Sequence, residues 1–251
     1  MERRRKRRKS TGAAVYIPIA ALLVIFLMIY GTSAFLKIIE IEVTGSSRYT
    51  SAEIIAAAGI EKGENMLLVD TVDAQLRVRT VLPYISNVEI TRSMPDTIRI
   101  EVRESTAIAS LAYRGVIVIL DSTGKVLRIA ETAQPDLIEI IGFQPEEASV
   151  GSVLKSGADD ENKLKYLIEI LSAIDASGIR AAVTYLDVTN ILTNITLDYM
   201  EYKVLLGGPE DVRSKLDELP ERIAEIVEIT QGDKAGVFNM SRRQSRWEPE
   251  R

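Results

Sequence analysis

The tetrad Asp121-Ser122-Thr123-Gly124 is the first place in this chain where a reactive carboxylate could sit. Aspartic proteases carry Asp-Thr/Ser-Gly twice, because two carboxylates must share one proton. Here the glycine falls one position late, and no second copy supplies the paired carboxylate. Aspartate at the first position and glycine at the fourth instead suit a hairpin turn. Asp159-Asp160-Glu161 could hold a divalent cation weakly. Acidic residues there equally suit a helix N-terminus, where they offset the helix dipole. Gly207-Gly208-Pro209 reads as a strand-to-helix connection and lacks the Lys-Ser/Thr of a phosphate loop. The chain also lacks the Gly-x-Ser-x-Gly elbow of the hydrolases. Glu218, Glu221, Glu225 and Glu228 recur at helical spacing and form a solvated face, and Lys203 in an apolar strand reads as a snorkelling side chain.

The chain has no histidine and no cysteine. The commonest general base, the commonest transition-metal ligand, thiolate nucleophiles and disulfides are therefore all excluded. No catalytic, cofactor-binding or metal-ligating residue is assigned. The expectation is a binding protein rather than an enzyme, with no cofactor.

Charge is distributed unevenly. Residues 1–13 hold seven of the 31 basic residues and one of the 36 acidic ones, so the rest of the chain is strongly acidic. An acidic body argues against nucleic-acid binding, which needs a basic face on the folded domain. The basic residues Arg3 to Lys9 precede a stretch without charge from Ser10 to Leu36. Its apolar heart, Ala13 to Tyr30, approaches the roughly 20 residues that span a bilayer. The reading is a cytoplasmic tail over 1–13 and a transmembrane helix over 14–36, with the remainder extracytoplasmic by the positive-inside rule. Thr32-Ser33-Ala34 has the small residues of a signal-peptidase site, but the apolar run exceeds the usual 7–15 residues of a signal-peptide core.

Beyond the anchor, Ile39 to Val43 alternates apolar and acidic residues and stops at Gly45, as a half-buried strand does. Thr50-Ser51-Ala52-Glu53 is a capping box that opens a helix over Ser51–Ala58, closed by Gly59. Asp70 caps a second helix with Val72, Leu76 and Val81 among its apolar positions, ending near Pro83. Strands follow at Ile85–Thr91 and Thr97–Arg103, joined by the turn Ser93-Met94-Pro95-Asp96. This strand-helix-helix-strand-strand unit packs two helices on one face of a three-stranded sheet. Further strands are expected at Ala107–Tyr113, Val116–Leu120, Lys125–Ile129, Leu137–Ile141, Ala182–Val188, Ile191–Leu197, Tyr202–Leu206 and Gly236–Ser241. Helices are expected at Glu161–Ala176 and from Pro209 to about Ile229, where Pro220 kinks or splits the second.

The order of parts resembles the bacterial cell division family FtsQ, called DivIB in Gram-positive bacteria. The resemblance rests on Ile38-Ile39-Glu40-Ile41-Glu42-Val43-Thr44-Gly45 directly after the anchor. It continues through Pro83 to Arg92, Met94 to Ile98, Val102 to Ala109, and the Asp-x-x-Gly hairpin within Val116–Leu127. Thr106 stands where the family usually has proline. The resemblance implies an α+β chain: one N-terminal transmembrane helix, a POTRA domain (β-α-α-β-β) over 37–104, and a mixed β domain with two helices over 105–241. A disordered tail over 242–251 completes the expected organisation. It further implies a divisome scaffold at the septum of the cytoplasmic membrane, which binds FtsB/DivIC-like and FtsL-like coiled-coil proteins and links them to septal peptidoglycan synthesis. Such a role needs an open sheet edge that accepts a partner strand. The candidate is Gly236, Val237, Phe238, Asn239, Met240 and Ser241, where the family's C-terminal partner-binding strand lies. Alternatives are another POTRA-bearing assembly or transport component, or an anchored cell-wall hydrolase. The first would need strands for a membrane barrel and the second a nucleophile or metal cage; the sequence offers neither.

Overall fold

The computed structural model describes residues 16, 18–26, 36–157, 160–231, 236–241 and 246–249. The chain divides into two compact units. One takes the chain up to Arg77 together with Val88–Val102, and the other takes Val78–Asn87 together with everything from Arg103 onward. Of the expected membrane segment, residues 16 and 18–26 are helical, while the basic tail lies outside the described residues. No helix among the described residues is long and apolar enough to cross a membrane.

The elements β1 (Glu40–Thr44), α1 (Ser51–Ala58), α2 (Thr71–Val81), β2 (Ile85–Ser93) and β3 (Thr97–Glu104) follow the expected order. The sheet order is β1-β3-β2, with β1 parallel to β3. In β3 the buried Ile98, Ile100 and Val102 alternate with the exposed Arg99 and Glu101, the period-2 signature of a half-buried strand. Register places Glu42 opposite Arg99, and the two side chains form an ion pair at 3.0 Å. Gly45, at φ 95°, ends β1 against β3: a Cβ there would lie 2.0 Å from the Val102 carbonyl oxygen.

Both helix starts are local chemistry. The Thr50 hydroxyl accepts from the Glu53 amide, while the Glu53 carboxylate accepts from the Thr50 amide at 2.8 Å and is held below its ordinary pKa by that bond. Asp70 Oδ1 accepts from the amides of Val72 and Asp73, both at 3.0 Å. Val72, Leu76 and Val81 are exposed, and Ala74 and Val78 are the buried positions. Two residues along a helix is about 200° of rotation, so the larger side chains at 72 and 76 lie opposite the buried pair.

The second unit is built on a nine-stranded sheet. Its strands are β4 (Ala109–Tyr113), β5 (Val116–Leu120), β6 (Val126–Ala130), β7 (Ile138–Ile141), β8 (Val183–Asn190), β9 (Asn194–Tyr199), β10 (Tyr202–Gly207), β11 (Gly236–Asn239) and β12 (Arg246–Pro249). They are ordered β12-β11-β10-β9-β8-β7-β4-β5-β6. Two parallel neighbours, β7/β8 and β10/β11, are joined through the helices α3 (Glu161–Ala176) and α4 (Val212–Thr230). Parallel strands need such long crossovers, and the helices supply core. Leu167, Ile170, Leu171 and Ile174 of α3 join Leu216, Leu219, Ile223 and Ile226 of α4 in one buried cluster with the sheet. Helix α4 runs unbroken through Pro220, contrary to a split at that residue.

Val78–Asn87 clusters with the second unit, although it precedes Val88–Val102 of the first in the chain. Polar contacts account for this. Lys125 is 6% exposed, and its Nζ donates to the carbonyl oxygens of Arg79 at 2.6 Å and Ile85 at 2.8 Å. The Ser105 amide donates to the Tyr84 carbonyl at 2.8 Å. Burial pushes the Lys125 ammonium down from 10.5 to about 8, outweighing the opposing pull of the Asp121 carboxylate; the Arg79 charge lowers it further. Between about pH 8 and 10.5 the unfolded chain holds this proton and the folded chain does not. Stability should therefore rise with pH across that window and carry the full penalty below it. Urea unfolding of the wild-type chain and Lys125→Met in parallel should show the wild type gaining on the variant from pH 8 to pH 10.

Candidate partner-docking edge

The segment proposed from sequence, Gly236–Ser241, forms a strand over Gly236–Asn239. Phe238 and Met240 are buried, while Val237 and Asn239 are half-buried, so alternate side chains enter the core. The strand runs parallel to β10, with Val204 opposite Phe238, and the Met240 amide donates to the Leu205 carbonyl at 2.8 Å. Asn239 ends the strand: its Oδ1 accepts from the Ser241 amide at 3.0 Å and the Ser241 hydroxyl at 2.6 Å.

This strand is not the outermost one. β12 pairs antiparallel along its other side, with Val237 opposite Glu248 and Phe238 opposite Trp247. The expectation of a disordered tail over 242–251 is thus corrected for Arg246–Pro249. The cause is the chain's single tryptophan. The Trp247 ring meets Tyr202 edge-on, with centroids 5.9 Å apart and planes at 71°, and packs against the apolar core. Gly236 makes room for it, since a Cβ there would lie 2.6 Å from the Trp247 ring and 2.7 Å from the Glu248 carbonyl oxygen. Asn239 Nδ2 also donates to Glu248 Oε1 at 3.3 Å. The sequence signal was slight, one aromatic residue amid charges. Among the described residues, β12 ends the sheet at this side and β6 ends it at the other.

The residues weighed for chemistry stand elsewhere and do not converge. Asp121 is buried and its carboxylate is fully engaged. Oδ1 accepts from the Thr123 amide and hydroxyl and the Lys125 amide at 2.7–3.0 Å, and Oδ2 accepts from the Ser105 hydroxyl at 2.8 Å. The Gly124 amide donates to the Asp121 carbonyl, which makes the tetrad a hairpin turn. Asp159 lies outside the described residues, and Asp160 precedes α3 without a side-chain capping bond. Arg222 pairs with Glu218 at 3.5 Å and Glu225 at 3.8 Å on the exposed face of α4. Lys203 is exposed beside β11.

These features define a two-unit chain whose first unit is a POTRA-type fold and whose second is an extended sheet. Residues 36–105 match the POTRA domain, FtsQ-type. The chain is 30% identical over 164 residues to the cell division protein FtsQ of Corynebacterium glutamicum, an alignment that covers 63% of this chain and 66% of that protein. It is 27% identical over 218 residues to the cell division protein DivIB of Clostridium botulinum, covering 86% of this chain and 82% of that one. A solved extracytoplasmic domain of DivIB from Geobacillus stearothermophilus overlaps at a TM-score of only 0.33, with 16% identity over 52% of this chain and 98% of that chain, so the assignment rests on the sequence matches. The chain belongs to the FtsQ/DivIB family of cell division proteins.

Trp247→Ala should remove the ring pair with Tyr202, a loss of about 1 kcal/mol for such an aromatic contact. Amide hydrogen exchange at Val237–Asn239 should quicken roughly fivefold, the factor that corresponds to that energy. Exchange in β4 and β5, at the far side of the sheet, should be unchanged.

Proposed function

We propose that this protein is a membrane-anchored scaffold of the division septum, without catalytic activity of its own. It receives strands from FtsB/DivIC-like and FtsL-like partners at the β11–β12 end of its nine-stranded sheet and links them to septal peptidoglycan synthesis. The observation that carries this reading is β12 itself. It is a four-residue strand at the sheet's end, set on β11 by backbone pairing and one aromatic contact. An end strand presents backbone donors and acceptors to any extended chain, so affinity comes from main-chain bonds and selectivity from alternate side chains. Gly236–Ser241 then forms the platform, and the incoming strand pairs along β12.

The anchored topology is supported by the stretch without charge from Ser10 to Leu36 behind seven basic residues. It is also supported by the bare Ile19, Leu22, Leu23, Val24, Ile25 and Phe26 on its helical part. Side chains of that kind over most of a helix surface suit lipid rather than water. Arg3 to Lys9 hold the N-terminus in the cytoplasm.

Two measurements test these statements. A reporter active only in the cytoplasm should work when fused before Arg3 and stay silent when fused after Arg251; finding the mature N-terminus near Phe35 would instead establish cleavage. In pull-downs, deletion of Gly236–Arg251 should abolish recruitment of the coiled-coil partners, with circular dichroism verifying the fold. Proline at Trp247, which removes a donor from the edge, should weaken recruitment more than Glu248→Ala does. Undiminished binding by the folded truncation would place the interface on another surface.

A further inference from the structure

The first unit carries an apolar surface that its own core does not use. The turn after the bridge Lys37–Asn65 presents Leu67 and Leu68 at its tip, and Val72 and Leu76 follow on the first turns of α2. These four side chains are 56–81% exposed. Adjacent leucines at a turn tip are an unusual surface for water, and contiguous exposed apolar groups mark interaction sites.

The tip is held firmly. Met66, immediately before it, is fully buried. The Arg92 guanidinium reaches across to the two carbonyl oxygens that flank the leucines, donating to Met66 at 2.9 Å and Val69 at 2.6 Å. The Leu67 amide donates to Asn65 Oδ1 at 2.9 Å and the Leu68 amide to the Asn65 carbonyl at 3.0 Å. Most backbone polar groups around the tip thus have partners inside the protein. A turn that enters a low-dielectric medium needs that, because it can recover no hydrogen bonds there. Two nearby acidic side chains are engaged within the protein: Asp73 pairs with Arg77, and Asp70 caps α2.

Position identifies the medium. The Met66 amide donates to the Leu36 carbonyl and the Ile38 amide to the Glu64 carbonyl, at 2.8 and 2.9 Å. The leucine tip is therefore tied by backbone bonds to Leu36, the last residue of the stretch without charge. We propose that Leu67 and Leu68, flanked by Val72 and Leu76, insert into the membrane interface beside the anchor and hold the POTRA unit on the bilayer surface. This inference rests on the anchored topology proposed for Ser10 to Leu36. The docking is hydrophobic, so it requires no anionic lipid and persists in high salt.

The absence of cysteine allows a direct test in the full chain, reconstituted into phosphatidylcholine vesicles that contain a brominated phosphatidylcholine. An environment-sensitive fluorophore is attached to L22C in the anchor, to L68C at the tip, or to L192C as an exposed reference in the second unit. The labels at 22 and 68 should be blue-shifted and lose most of their emission to brominated lipid, and the label at 192 should not. Adding Leu67→Asp should relieve quenching at 68 while leaving it intact at 22, and 1 M salt should change neither. Quenching at 22 with a label at 68 as unquenched as that at 192 overturns the docking and leaves the anchor standing. No quenching at 22 or 68 overturns the anchored topology and the docking with it. Equal quenching at 68 and 192 would mean unspecific adsorption and would also overturn the docking.

Discussion

A backbone amide or carbonyl that leaves water must find a partner, and a sheet meets that demand only sideways, strand by strand. In the second unit each of the seven inner strands is satisfied on both sides. Among the described residues β12 ends the sheet at one side, while at the other side β6 is partly covered: the Val126 amide donates to the Ser152 carbonyl and its carbonyl accepts from the Gly151 amide, both at 2.9 Å. β10 and β11 are parallel, so the chain must cross over between them, and α4 is that crossover. The helix in turn supplies Leu216, Leu219, Ile223 and Ile226 to the core beneath the sheet. β11 is therefore well founded, whereas β12 depends on pairing and on Trp247.

Charged groups serve structure in the same economical manner. Asp121 spends both carboxylate oxygens on a turn, and Lys125 places its amine on the carbonyls of Arg79 and Ile85. The two residues lie four apart, on either side of one hairpin, so a single turn organises the contacts that bring Val78–Asn87 into the second unit. The cost of burying an ammonium is visible in its lowered pKa. Arg92 acts similarly in the first unit, where it ties down the carbonyls around a leucine-bearing turn. In each case a polar side chain fixes backbone that regular hydrogen bonding does not reach.

The β12 edge and the leucine-bearing turn are surfaces of different character. One presents backbone at the end of a sheet, and the other presents exposed apolar side chains on a turn and a helix. They differ in the property that selects a partner. Strand addition tolerates side-chain change and is sensitive to proline, whereas a leucine tip is sensitive to a single added charge.

Much of this was written in local sequence. The capping box at Thr50, the cap at Asp70, the glycine stop at Gly59 and the alternation in β3 fixed their elements, because each depends on residues within a few positions of one another. Helix Glu161–Ala176 and strand Val116–Leu120 were legible for the same reason. Local pattern could not decide which face of α2 is buried, since Val72 and Leu76 are as apolar as the pair that won, and only the neighbouring elements choose. Nor could it show that Arg246–Pro249 is a strand. A segment with one aromatic residue among charges has no periodic signal, and it becomes a strand only where β11 offers its edge and Tyr202 offers its ring. The division of the chain at 78–87 was likewise invisible, because it is made by Lys125, some forty residues away, reaching two carbonyl oxygens. Sequence thus determined what short-range hydrogen bonding and periodicity control, and tertiary structure decided every choice that depends on what a distant segment brings into contact.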